Sequence, residues 1–168
     1  MNLENLLKIS KDLTVLYIED DHSRDVTTDL FSTIFNLVIV AIDGKDGLDK
    51  YIQYYEKTNQ YIDLIISDIN MPNMDGLELS KNIFTLNNKQ TLIATSAYND
   101  SNRLIDLLNL GVTSFLIKPI KHDNAIKILY KACNNISNSK LVLKHNLQIK
   151  ELNESLKNSN KVLEKKVE

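Results

Sequence analysis

The sequence predicts an α/β protein built on a parallel, doubly wound sheet. Five short runs, 14–18, 37–41, 63–67, 91–95 and 114–117, are almost continuously apolar, as strands covered on both faces are. Each is followed by a segment whose apolar residues recur at helical spacing. Two prolines and four glycines in 168 residues leave little room for a loop-rich all-β fold. Five βα units of this size form one sheet with right-handed crossovers.

Taken in order, residues 1–12 form a lead-in segment. Its acids are scattered among apolar residues, and it has no small-residue cleavage site of the kind a signal peptide needs. The first helix, 25–35, presents Val26, Leu30 and Ile34 on one stripe. Helices at 47–55, 77–86 and 102–110 follow the second, third and fourth strands. The fifth strand leads to a helix at 123–134, where Ile126, Leu129, Tyr130 and Cys133 share a face. The polar cluster Asn134-Asn135-Ile136-Ser137-Asn138-Ser139 then marks a boundary, dividing a body over 13–135 from a tail over 136–168. The charge changes at the same place. Residues 1–135 hold 13 Lys/Arg against 18 Asp/Glu, net −5, whereas 136–168 hold 7 against 4, net +3.

In doubly wound sheets, sites form beyond the carboxyl ends of the strands. The first strand ends in Glu19-Asp20-Asp21, the third in Asp68, the fourth in Thr95-Ser96 and the fifth in Lys118-Pro119. Crowded carboxylates repel one another and favour a hard divalent cation, with Mg²⁺ the usual choice for oxygen ligands plus waters. A cation, a lysine and a hydroxyl around one carboxylate make a phosphoryl-transfer constellation, in which the carboxylate attacks in line and the positive groups neutralise the equatorial oxygens. No Gly-rich phosphate loop accompanies it, so the phosphoryl donor brings its own leaving group.

Four blocks in this order resemble the receiver domain of two-component response regulators: Val15–Asp21, Ser67-Asp68-Ile69-Asn70-Met71-Pro72-Asn73-Met74-Asp75-Gly76, Ser96-Ala97, and Phe115-Leu116-Ile117-Lys118-Pro119. The resemblance implies a flavodoxin-like sheet in the order 2-1-3-4-5. It makes Asp68 the phosphoacceptor, with Mg²⁺ held by Asp20 and Asp68, by Glu19 through water, and by the backbone carbonyl of Asn70. Ser96 and Lys118 contact the phosphoryl group, and Phe115 is the aromatic switch that turns inward when Ser96 moves. Ser and Phe stand where Thr and Tyr are commoner, but the hydroxyl and the ring are kept. The implied partners are a histidine kinase or phosphotransfer protein as donor and an output module beyond residue 168. A free-standing receiver is the alternative. The expected chemistry is self-phosphotransfer and autodephosphorylation rather than enzymatic turnover.

Plainer roles are assigned alongside these. Asp21 or Ser23 caps the first helix of the body, Asp75-Gly76 is a turn and helix start, His22 is a loop residue and Cys133 a buried small hydrophobe. Thr95 competes with Ser96 for the phosphate-facing role. An aspartyl-phosphate phosphatase usually carries a second Asp two residues after its nucleophile. Asn70 stands there, which argues against that class of enzyme. The remaining alternative is a phosphorylation-independent pseudo-receiver serving as a dimeric scaffold.

The tail has neither Pro nor Gly from 141 to 168. Val142, Ile149, Leu156 and Leu163 recur every seven residues, a heptad position held apolar throughout. The companion position is either His145, Leu152, Ser159 and Lys166, or Ser139, Asn146, Asn153 and Asn160. A helix of this length is marginal alone in water, so a parallel two-stranded coiled coil is expected, the alternative being a solvated amphipathic helix that packs on its own body or frays. Homodimerisation is assigned to this helix, to the face formed by 102–110, 114–117 and 123–134, or to both. The acidic body argues against a nucleic-acid surface. The longest apolar run, 37–42, is too short to cross a bilayer. A lone cysteine excludes an intrachain disulfide framework, and a cytoplasmic protein is expected.

Overall fold

The computed structural model describes residues 3–21, 24–97, 101–112 and 114–167, with the backbone alone at 101 and 163–167. The elements run α1 (Leu3–Ser10), β1 (Thr14–Ile18), α2 (Arg24–Ile34), β2 (Leu37–Ala41), α3 (Gly44–Thr58), β3 (Leu64–Asp68), α4 (Gly76–Leu86), β4 (Thr91–Ser96), α5 (Ser101–Leu110), β5 (Ser114–Ile117) and α6 (His122–Val167). All strand pairs are parallel, in the order β2-β1-β3-β4-β5. Two compact units result, Met1–Asn134 and Asn135–Glu168.

Burial follows from position in the sheet. Every residue of β1 and β3 is buried, and so are five of the six in β4, because helices cover both faces of these inner strands. The edge strand β2 is open at Leu37 and fully buried only at Ala41. One face of the sheet carries the main core, in which Leu16, Ile18, Ile65 and Leu92 meet Leu79, Ile83 and Leu107 from the helices. Each such fully buried side chain contributes about 1.5–3 kcal/mol of transfer free energy. Alternation along β1 turns Tyr17 to the other face, where Phe31 meets it edge-on at 5.0 Å and packs in turn on Phe35 at 5.9 Å.

Several local readings need correction. The lead-in over 1–12 contains a helix, α1, whose Leu6 is completely buried. Ser10 fixes its end, its hydroxyl donating to the Leu6 carbonyl at 2.9 Å and to the Ile34 carbonyl of α2 at 2.7 Å. In α2 the buried residues are Phe31 and Ile34, while Val26 is 76% exposed, so the inward stripe is rotated from the predicted one. β3 starts and ends one residue later than predicted. Asp63 stays outside it as a partner for the Thr14 backbone N–H at 2.9 Å. The last helix does not stop at 134 but runs on to Val167.

Candidate functional site

The register of the inner strands sets the geometry. Ile18 of β1 pairs with Ser67 of β3, and Asp68 with Thr95 of β4. The residues just past β1 therefore stand beside the last residue of β3. Carboxylate oxygens of Glu19, Asp20 and Asp68 all lie within 4.8 Å of one another. Glu19 is 2% and Asp68 7% exposed, whereas Asp20 opens to solvent.

Lys118, just beyond β5, joins the two buried acids. Its Nζ lies 2.5 Å from Asp68 Oδ2 and 2.8 Å from Glu19 Oε2. Burial alone pushes its ammonium down, but hydrogen bonds and charge from Asp68 and Glu19 outweigh that and hold its pKa above the ordinary lysine value. Glu19 is shifted upward chiefly by burial. The Lys118 hydrogen bond opposes the shift, and the Asp68 charge reinforces it. The second oxygen of Asp68, Oδ1, accepts the Asn70 backbone N–H at 3.1 Å.

Glu19 Oε1 is buried and finds no hydrogen-bond partner among the described residues. An orphaned buried carboxylate oxygen is costly, and an ion or an ion-bound water relieves the cost. The all-oxygen donor set of Glu19, Asp20 and Asp68 fits a hard divalent cation of the Mg²⁺ type. The residues present therefore fit the cation that the sequence reading assigned.

Ser96 is fully buried at the end of β4, its hydroxyl donating to the Ala97 carbonyl at 2.9 Å. The neighbouring Thr95 hydroxyl is also buried but has no partner among the described residues. Lys118 is tied to Ser96 through the backbone, its N–H donating to the Ser96 carbonyl at 2.8 Å. Phe115 is half-buried and packs against the main core. Cys133 is completely buried, and its thiol is pushed up to about 12 by burial. Asp75 caps α4, accepting the backbone N–H groups of Leu77 and Glu78. His22 and Ser23 lie outside the described residues.

The structure adds contacts that the sequence reading missed, most of them bracing the loop from Asp68 to Gly76. Asn73 donates to Asp43 at 2.6 Å, and Asp43 also caps α3 by accepting the Asp46 N–H. The Asp46 and Asn73 hydrogen bonds hold the Asp43 carboxyl below its usual range. Arg103 of α5 reaches back to Asn70 Oδ1 at 3.0 Å and to Asp75 Oδ2 at 3.3 Å. Gly76 leaves room for close backbone approach, since a Cβ there would stand 2.5 Å from the Asp68 carbonyl oxygen. Arg24 donates to the Glu19 carbonyl at 3.1 Å. Only the Asp43 cap carries a local signal, an Asp three residues before an acid at a helix start. Arg103 is separated by 33 positions from the residue it reaches and leaves no such trace.

Comparison with known proteins places this arrangement. Residues 15–130 match the family model described as the response regulator receiver domain. Over 100 residues the chain is 29% identical to the chemotaxis protein CheY of Bacillus subtilis, an alignment covering 60% of this chain and 78% of that one. It is 30% identical over 120 residues to the regulator of RpoS from Escherichia coli, covering 71% of this chain and 34% of that one. It is also 30% identical over 125 residues to the osmosensing histidine protein kinase SLN1 of Saccharomyces cerevisiae, where the match spans 71% of this chain but 10% of the kinase. Among solved structures, the N-terminal domain of an uncharacterised protein from Wolinella succinogenes is similar at TM-score 0.63 and 30% identity, with 77% of this chain and 98% of that one covered. A CheX–CheY–BeF₃–Mg²⁺ complex from Borrelia burgdorferi is similar at TM-score 0.61 and 27% identity, with 72% and 89% covered. With the family model spanning most of the chain, the β2-β1-β3-β4-β5 sheet and the acidic cluster opposite Lys118, this protein belongs to the response regulator receiver domain family.

Proposed function

We propose that this receiver accepts a phosphoryl group on Asp68 from a histidine kinase or phosphotransfer protein and passes the change to its C-terminal helix. The observation that carries the reading is Asp68 itself. It is a buried carboxylate held by Lys118 at 2.5 Å, beside a Glu19 oxygen that has no partner. Asp20, Asp68, Glu19 through water and the Asn70 carbonyl would hold Mg²⁺, which when bound neutralises charge on the phosphoryl oxygens. An Asp68 oxygen forms the new bond to phosphorus as the bond to the donor's imidazole nitrogen, or to an acyl oxygen, breaks. The leaving group takes that electron pair. Lys118, already cationic, pairs with a phosphoryl oxygen, and the Ser96 hydroxyl turns from the Ala97 carbonyl to donate to another.

Movement of Ser96 releases space at the end of β4, and Phe115 fills it. The face formed by α5, β5 and α6 changes shape, and α6 continues into 135–167. Taking such a two-state element from 1:99 to 99:1 requires about 5.5 kcal/mol of differential stabilisation, within reach of two or three charge-assisted contacts. On this reading the protein is a cytoplasmic signalling phosphoacceptor and not an enzyme acting on external substrates. Its tail serves a homodimer or an output module.

The test is intact mass after incubation with acetyl phosphate and Mg²⁺, beside Asp68→Asn. A gain of one phosphoryl group in the unsubstituted protein alone supports the reading. If neither acetyl phosphate nor a cognate kinase labels a protein that still melts cooperatively, the reading fails and a phosphorylation-independent scaffold takes its place.

A further inference from the structure

The second unit, Asn135–Glu168, is helical through Val167, and from 141 to 162 its large apolar side chains are exposed. Val142, Ile149, Leu152 and Leu156 are 55–69% exposed. Four such residues along one stripe of a helix are far more apolar surface than scattered exposed leucines produce.

Where the charges fall shows what the stripe is for. With Val142 at heptad position a, the a positions hold Val142, Ile149 and Leu156, and the d positions His145, Leu152 and Ser159. From 141 to 162 the six Lys and Glu residues, Lys144, Lys150, Glu151, Glu154, Lys157 and Lys161, all occupy b, c or f. The flanking e positions are Asn146, Asn153 and Asn160, and the g positions are Leu141, Gln148, Ser155 and Val162. Half of the helix circumference is therefore free of Lys, Arg, Asp and Glu over about three heptads. A merely solvated helix has no reason to segregate charge in this way.

We propose that the a/d/e/g face of residues 141–162 pairs with the same face of a second copy of this chain, as a parallel, in-register, two-stranded coiled coil. Parallel pairing in register gives four purely apolar layers, at Val142, Ile149, Leu152 and Leu156, and confines the polar side chains to two layers of their own, His145 and Ser159. Every antiparallel a-to-d alignment of this stretch yields at most two apolar layers. The alignment centred on it sets Val142 against Ser159 and His145 against Leu156. Sliding a parallel pair by one heptad likewise leaves two apolar layers. Two β-branched residues at a, Val142 and Ile149, with Leu152 at the d that follows Ile149, favour two strands. Orientation is set by apolar matching and not by charge, because e and g carry none. This assignment names the tail's partner independently of whether Asp68 is phosphorylated.

The test uses the full chain. Sedimentation should show a two-copy species whose dissociation constant changes by less than about threefold between about 0.05 M and 1 M NaCl, since no charged rows face each other. Leu152→Lys should weaken pairing by at least about a hundredfold, because each copy loses a buried leucine and gains a charge in the seam. An unchanged cooperative melt of the receiver shows that this variant is folded. Leu156→Cys should form an interchain disulfide under mild oxidation, since in-register parallel pairing sets residue 156 against itself. The buried Cys133 remains inert and is the internal control. A single-copy species at about 100 μM, a three- or four-copy mass, a strong salt dependence, or a paired protein in which Leu156→Cys fails to cross-link would each overturn the proposal. Failure of acetyl phosphate labelling would leave it standing, so the two readings fail separately.

Discussion

One lysine settles the electrostatics of the receiver site, because Lys118 is the cation that bridges both buried acids. Breaking a buried pair by removing one partner is strongly destabilising. Here the cost is discounted to about 1–3 kcal/mol, since the Lys118 side chain keeps 32% of its exposure. Lys118→Ala should therefore fold, gain phosphoryl mass more slowly, and lose the phosphorylation-linked change in hydrogen exchange over α5 and β5. A Lys118→Ala protein whose exchange responds like the unsubstituted one would break the assignment of the switch to this residue. Glu19 makes a separate pH prediction. Its folded pKa lies above the usual 4.5, so above the folded value the native state carries a carboxylate that burial disfavours, and below 4.5 that cost is gone in both states. Metal-free protein should thus gain stability as pH falls from above the raised value of Glu19 towards 4.5. Asp43, held below its usual 3.8, gives up its contribution only in stronger acid. Glu19→Gln keeps an acceptor for Lys118, and it should raise the melting temperature at pH 8 by about 2–4 °C and flatten this slope. Thermal melts from pH 4.5 to 8 in a chelator decide it, and an unchanged slope would remove Glu19 as its source.

At the level of elements, what was legible in the sequence divides by how local its cause is. The strands showed because helices cover both faces of the inner ones, which makes their residues apolar in runs, and three boundaries, both ends of β3 and the end of β4, slipped by a single residue. The four polar strand ends showed because a parallel sheet collects its carboxyl ends on one edge, so order alone brings Glu19, Asp68, Ser96 and Lys118 together. The stripe of α2 was misread because Val26, Leu30 and Ile34 satisfy helical spacing as well as Phe31 and Ile34 do. Tertiary contact with Tyr17 selects the second set. The brace from Arg103 to Asn70 and Asp75 was invisible, since it joins elements through fold and not through spacing. Helix α1 was missed for a related reason: eight residues with two buried positions read as a lead-in until α2 supplies the surface they cover. That surface makes α1 a structural part of the receiver unit. Leu6→Ala should accordingly cost about 2–4 kcal/mol, read as a lower denaturation midpoint at unchanged m-value. A loss below about 0.5 kcal/mol would mean that α1 is an ornament on the fold.

For the whole chain, the two units differ in what they need. The receiver unit buries its own core, whereas residues 138–162 are exposed along their length. Ending the chain after residue 138 should therefore leave the melting temperature of the receiver within about 2 °C, because no buried side chain is removed. The more demanding expectation concerns linkage between the two. If a phosphoryl group at Asp68 and pairing of the tail bias the same two-state element, each must strengthen the other by the same factor. A phosphoryl mimic such as beryllofluoride makes this an equilibrium measurement. Its midpoint on the full chain should fall as protein concentration rises through the pairing range, by a factor of about 5–150 for a coupling of about 1–3 kcal/mol. The midpoint on the chain ending at 138 should not depend on concentration. Reciprocally, saturating mimic should tighten pairing by that same factor. A concentration-independent midpoint on a full chain that does pair would mean that the tail joins two receivers constitutively, and that phosphorylation acts on the α5–β5–α6 face without crossing into it.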